Sequence, residues 1–172
     1  EFDTVEELRA DIETRLGRLK KVEQGAEARN KIHDVLLEQV ELPMPEGVIA
    51  AEIEGHFQDG HDSGDEHRAE VEAEIRSGLK SQFILDKIAE DEELTVGESE
   101  LSAWLMQQAP RYDMSPDAFA QALVEAGQVP MAMADIRRAK ALAKVLESAK
   151  VVDTNGVAVD LSELDSEVAA LT

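Results

Sequence analysis

The chain has no cysteine among its 172 residues. Disulfides, thiol nucleophiles and Cys-ligated zinc are thereby excluded, and nothing points to an oxidising compartment. Aromatic residues are scarce at 3%, with one Trp and one Tyr, so a core must be built from Leu, Ile, Val and Ala. Ten Gly and five Pro are too few for a loop-rich sandwich. Positive charge is also short: 17 Lys and Arg stand against 38 Asp and Glu, a net charge of −21. Such a chain repels phosphate backbones and anionic membrane surfaces, so neither nucleic acid nor membrane is an expected partner. No apolar run approaches the roughly 18 residues of a membrane span. The first residue is Glu1, not Met, and no basic–apolar–small leader follows. The expectation is a fragment or processed product of a cytoplasmic protein.

The 43% of hydrophobic residues argue against a solvated acidic tail, provided that they are periodic. They are. Thr4 and Glu7 form a capping-box pattern, and Val5, Leu8, Ile12, Leu16, Leu19, Val22 and Ala26 then fall on one helical face. After Gly25 the stripe changes phase and resumes as Ala28, Ile32, Leu36 and Val40; the helix kinks there or rotates toward a second partner. Pro43 and Pro45 end it near Leu42. About 38 helical residues would span nearly 60 Å, more than the diameter of a compact domain of this size. The pattern therefore predicts an elongated molecule.

Pro45 opens a second helix with Ile49, Ile53 and Phe57 inward. A Gly- and Asp-rich loop follows over 59–66. A third helix runs from about Glu66 to Asp91, with Val71, Ile75, Leu79, Phe83 and Ile88 inward. The acidic cluster Glu90 to Glu93 opposes the macrodipole, which predicts fraying at its end. Thr95 and Glu98 read as the cap of a fourth helix, carrying Leu101, Trp104 and Leu105 and stopped by Pro110. Ser115-Pro116 begins a fifth helix and Gly127 stops it. Pro130 opens a sixth, whose Arg137, Arg138, Lys140 and Lys144 suggest an exposed basic face. Val151-Val152, Asn155-Gly156 and Val157 to Val159 suggest a short hairpin or extended segment. The fold class is all-α: an elongated multi-helix domain with a long first helix and helical-hairpin arms.

Catalytic patterns are missing. There is no phosphate loop, no nucleophile elbow and no H-E-x-x-H helix. His56, His61 and His67 cluster in residues 55–67, where a metal is conceivable. Asp59, Ser63, Gly64 and Glu70 take positions 1, 5, 6 and 12 of a calcium-loop pattern, but position 3 is His61, a poor ligand for a hard cation. A polar hairpin loop without metal is the expectation. His33, beside Asp34, reads as solvated or capping, and Trp104 as core.

Four of the five Met residues lie within 106–133: Met106, Met114, Met131 and Met133, with Tyr112, Phe119 and Leu123 interleaved. Met is unbranched and polarizable, and it is over-used on surfaces that accept many partners. Two readings stay open. These residues fill the cores of short helices, or they form an adaptable binding surface.

Four segments in order resemble the C-terminal domain of trigger factor, the bacterial ribosome-associated chaperone. They are residues 1–16, the Leu-Pro-Met-Pro break with the helix to Ile53, residues 78–101, and Ala139 to Val151. The family's basic ribosome-docking loop and its prolyl-isomerase domain are absent here. The resemblance implies a helical body with projecting arms, in residues 1–160, that cradles unfolded or nascent polypeptides; residues 161–172 form an acidic, flexible tail. It implies no cofactor, no enzymatic activity in this stretch, and ribosome contact only through parts outside it. Under it, Met106, Tyr112, Met114, Phe119, Leu123, Met131 and Met133 are the expected client-binding residues. The competing readings are an acidic helical scaffold that docks one folded partner, and a metal-dependent enzyme or calcium sensor centred on 56–70.

Overall fold

In the computed structural model, residues 4–58 and 64–159 are described. The Thr4 hydroxyl accepts the Glu7 amide at 3.1 Å and starts α1, Val5–Gln39, which runs without interruption for 35 residues, about 52 Å. It stays helical through Gly25. Gly25 is its only buried residue, and from there the helix turns Ile32 and Leu36 onto the body core. Before that point the apolar stripe is open among the described residues: Val5, Leu8, Ile12, Leu16 and Leu19 are all exposed. The phase change in the sequence is a rotation from a bare face to a packed one.

α2 (Glu46–His56) folds back on α3 (Asp65–Asp91) and buries Ile49, Ile53 and Val71. Arg76 of α3 clamps the start of α2 with two bonds to Glu46, at 2.7 and 2.9 Å, and bonds Glu72 at 2.9 Å. α3 does not fray. Glu93 adopts a left-handed conformation, φ 51°, which lets the Leu94 amide bond the Ala89 carbonyl at 2.9 Å and the Glu93 amide bond Glu90 at 3.0 Å. This closure delivers Leu94 onto the core beside Ala89, so apolar contact outweighs the unfavourable charge. Phe83 is exposed, contrary to the expected inward stripe, because α3 turns Ile84, Leu85 and Ala89 inward instead.

The body core is Leu85, Ala89, Ala141 and Leu142, with Ile32, Leu36, Ile88 and Leu94 against it. It joins α1, α3 and α6 (Val129–Ser148). Polar ties surround it. His33 Nε2 lies 2.7 Å from Ser81 Oγ, so His33 bridges α1 and α3 rather than standing in solvent. Lys80 donates to the Leu37 carbonyl at 2.6 Å. Arg138 grips Asp86 through two nitrogens at 2.8 and 3.0 Å. The expected basic face of α6 is therefore partly a fastener to acidic α3, not a free surface. Beyond α6, Val152 and Ala158 form an antiparallel bridge around a turn with Gly156 at φ 80°, the short hairpin that Asn155-Gly156 suggested.

The chain's accessible surface is 12122 Å². A compact chain of this mass would expose roughly 8,300 Å². The molecule is elongated, as the length of its first helix requires. The expected acidic tail and most of the Gly- and Asp-rich loop lie outside the described residues.

Candidate functional site

The second hairpin is an arm built of short pieces with local stop signals. α4, Glu98–Gln108, begins at Gly97, whose amide donates to Glu100 Oε2 at 2.7 Å. The cap is thus Gly97 with Glu100, not Thr95 with Glu98. Thr95 instead offers its carbonyl to Lys140, which also pairs with Glu100 at 2.6 Å and ties the arm's base to α6. The Gly97 amide, and then Lys140, hold the Glu100 carboxyl below the usual carboxylate range.

Pro110 does not simply end α4; it sits in a 3-10 turn, Ala109–Tyr112. Asp113 at φ 54° closes this turn, with the Met114 amide bonding Ala109 at 3.1 Å. The Ser115 hydroxyl accepts the Ala118 amide at 3.3 Å and caps α5, Pro116–Glu125. Gly127 at φ 67° ends α5 in the same left-handed closure, with the Gln128 amide bonding Leu123 at 2.8 Å. The chain then enters α6.

These pieces enclose a second core, separate from that of the body: Ala109, Phe119, Leu123 and Ala132, flanked by Trp104, Leu105 and Val129. The Phe119 ring stacks on Trp104 at 5.9 Å and on Tyr112 at 5.0 Å. α6 serves both cores, with Ala132 in the arm and Ala141 and Leu142 in the body.

The structure divides the seven expected client contacts. Phe119 and Leu123 are buried, because positions four apart on α5 point the same way into the arm. They hold the arm together and are not an accessible surface. Met133 is half-buried. Met106, Tyr112 and Met131 are exposed to 59%, 63% and 63%, and Met114 is exposed too. Val124, which the sequence reading passed over, is exposed too. Its signal was available: it follows Leu123 by one residue, roughly 100° around the helix from the inward face. The arm thus presents flexible apolar side chains around a packed aromatic centre. Such a surface can bury apolar segments without demanding a matched hydrogen-bond pattern.

The histidine patch at the end of the first hairpin is built differently. The His56 and His67 rings meet edge-on at 5.6 Å, Phe57 packs against both, and Arg68 lies over Phe57 at 5.6 Å. Glu70 faces His67 at 3.8 Å. Among the described residues no group of three or more His, Asp or Glu is placed to hold a metal ion. Asp59, His61 and Ser63 lie outside the described residues. No helix among the described residues is long and apolar enough to cross a membrane.

The family model for the bacterial trigger factor protein C-terminus matches residues 4–147. Trigger factor of Renibacterium salmoninarum is 45% identical over 170 residues, covering 95% of this chain and 36% of that protein. That of Kineococcus radiotolerans is 47% identical over 165 residues, covering 95% and 35%. The chain spans about a third of the length of these curated relatives. A solved chain from trigger factor of Thermotoga maritima superposes with a TM-score of 0.59 at 21% identity, covering 86% of this chain and 96% of that one, a likeness of fold. With the family model matching most of the chain and relatives near half identical over nearly all of it, the chain belongs to the trigger factor family and corresponds to its C-terminal region.

Proposed function

We propose that this chain is an ATP-independent chaperone module, which binds exposed apolar segments of unfolded or nascent polypeptides and keeps them from aggregating. The observation that carries the reading is the exposed rim of Met106, Tyr112, Met114 and Met131 around an arm that has its own core. Stability of the arm rests on Phe119 and Leu123, so the rim is free to serve binding. Promiscuity needs apolar area that repacks cheaply, because each unmatched buried polar group costs about 1–3 kcal/mol. The charge of −21 keeps a chain with this much exposed apolar surface soluble and attracts basic stretches of clients. Ribosome contact and prolyl isomerisation belong, in this reading, to parts of the family protein outside this chain. The module itself needs no cofactor.

Suppression of aggregation of an unrelated unfolding protein tests this. The chain is expected to slow light scattering at near-stoichiometric ratio, and Met106→Ser with Met114→Ser and Met131→Ser to lose most of that effect while melting normally. Full suppression by the triple variant, or none by the parent chain, would contradict the reading. Binding of one folded partner and of no unfolded protein would favour a specific scaffold instead.

A further inference from the structure

The open stripe of α1, Val5 to Leu19, falls within one arc about 80° wide. The charges along it are divided. Residues 15–22 hold Arg15, Arg18, Lys20 and Lys21 and no acid, net +4 in a chain of net −21. Arg15 and Lys20 stand about 70° to either side of the stripe. Toward the helix start the sign reverses, with Glu6, Glu7, Asp11 and Glu13 against Arg9. A fitting occupant is apolar along one face, acidic where it meets residues 15–22, and uncharged where it meets the acidic start.

The chain carries such a segment itself. Leu161, Leu164, Val168 and Leu171 recur at helical spacing, and on a helix they share an arc about 80° wide. Asp160, Glu163, Asp165 and Glu167 make residues 160–167 net −4, and no charged side chain follows in 168–172. The fold brings this segment to the stripe. Lys80 of α3 reaches Leu37 and Ser81 meets His33, and Leu85 and Ala89 share the core with Ile32, so α3 runs opposite to α1. Arg138 of α6 grips Asp86, and Ala141 joins Ala89 at the same offset in number, so α6 runs with α3. It therefore heads back along α1 toward Gly25, where the bare half begins. α6 ends at Ser148, and the Val159 amide bonds the Val151 carbonyl at 3.1 Å, so residue 160 sets out from the end of α6.

We propose that residues 160–172 dock antiparallel on the first half of α1 as a built-in cover for its apolar stripe. Leu161 then lies beside Val22, Leu164 beside Leu19, Val168 beside Leu16 and Leu171 beside Ile12. The four acids overlie the four basic residues of 15–22, and the uncharged end lies over the acidic part of α1. Thirteen helical residues span about 20 Å, which reaches from Val22 to Arg9. The attraction is between surface charges and is weakened by salt, so the cover is reversible. An apolar segment of another chain that reaches the stripe displaces it first.

The absence of cysteine permits a direct test in the full chain. A nitroxide on Ser166→Cys, opposite the segment's apolar arc, should broaden the backbone NMR signals of residues 12–22 and leave those of the arm sharp. Salt at about 1 M, where the Debye length is about 3 Å, should weaken the effect. Arg15→Glu with Lys20→Glu should abolish it, and adding Asp165→Lys with Glu167→Lys should restore it. In a mixture of spin-labelled chains without isotope and isotope-labelled chains without nitroxide, the broadening should vanish, because the contact lies within one chain. Oxidation of a chain carrying Leu19→Cys with Leu164→Cys should close a disulfide within that chain. Leu8→Cys with Leu164→Cys should not, since Leu8 lies about 16 Å further along α1. Sharp signals over residues 12–22, broadening that survives the charge reversal, or broadening of equal strength in the mixture overturns the proposal. Equal closure of the two cysteine pairs overturns the register and with it the docking.

Discussion

Phe119→Ala probes the distinction between core and surface on which the proposed client-binding reading depends. Phe119 is 7% exposed and stacks on both Trp104 and Tyr112. Truncation removes about 130 Å² of buried apolar area, worth about 3 kcal/mol at 25 cal/mol per Å². The cavity and two lost ring contacts bring the expected cost to about 3–5 kcal/mol. The change should act on the arm first, because the body core shares no residue with the arm core. Two probes separate them in one denaturant titration. Fluorescence of Trp104, the single tryptophan, reports the arm; far-ultraviolet dichroism reports all the helices. Phe119→Ala should move the fluorescence transition to much lower denaturant and the dichroism transition less. Met131→Ser, at a side chain mostly in water, should cost under about 1 kcal/mol by either probe. A loss below about 1 kcal/mol for Phe119→Ala, or above about 2 kcal/mol for Met131→Ser, would refute the division of the arm into core and rim.

Glu93 sits at φ 51° where glycine is favoured, and it places a negative charge at the C-terminus of α3. Glu93→Gly should therefore raise stability by about 0.5–1 kcal/mol in thermal denaturation. Arg138→Ala removes the two-bond grip on Asp86 and should cost about 1–2 kcal/mol, since the arginine is mostly buried; Arg138→Lys should recover only part, as measured by chemical denaturation. Glu100 titrates below its unfolded value near 4.3 because of Gly97 and Lys140, so its ionised form stabilises the fold above that pH, and the contribution is lost as pH falls through the folded value. Solvent screening limits this to about 0.5–1 kcal/mol. Glu100→Gln should thus destabilise at pH 7, and the gap to the parent chain should close as pH falls through the folded value.

Features set by local chemistry were legible in the sequence. Thr4, Ser115-Pro116 and Gly127 mark helix ends through hydrogen bonds or backbone angles that need no distant partner, whereas α1 ends at Gln39, three residues before the Leu42 that Pro43 suggested. Features decided by packing were not. A Glu recurs at both candidate cap spacings before α4; the cap that forms is Gly97 with Glu100, while Thr95 is held by Lys140 of the distant α6. Phe83 fits the helical stripe as well as Ile84 and Leu85 do; the partner helices choose between them. The stripe on α1 shows an amphipathic face but not whether anything covers it. In the arm, Met, Tyr, Phe and Leu alternate too closely for composition to separate core from rim. The four-residue spacing of Phe119 and Leu123 was the available clue.

The five methionines provide the most direct test of the chaperone surface. With their methyl groups labelled for NMR, Met106, Met114 and Met131 report the rim, Met133 its half-buried edge, and Met44 the distant start of the first hairpin. Titration with a permanently unfolded protein should shift and broaden the signals of Met106, Met114 and Met131 most, Met133 less, and Met44 least. Rim signals that stay still while the unfolded protein binds, or that move no more than Met44, would contradict the account.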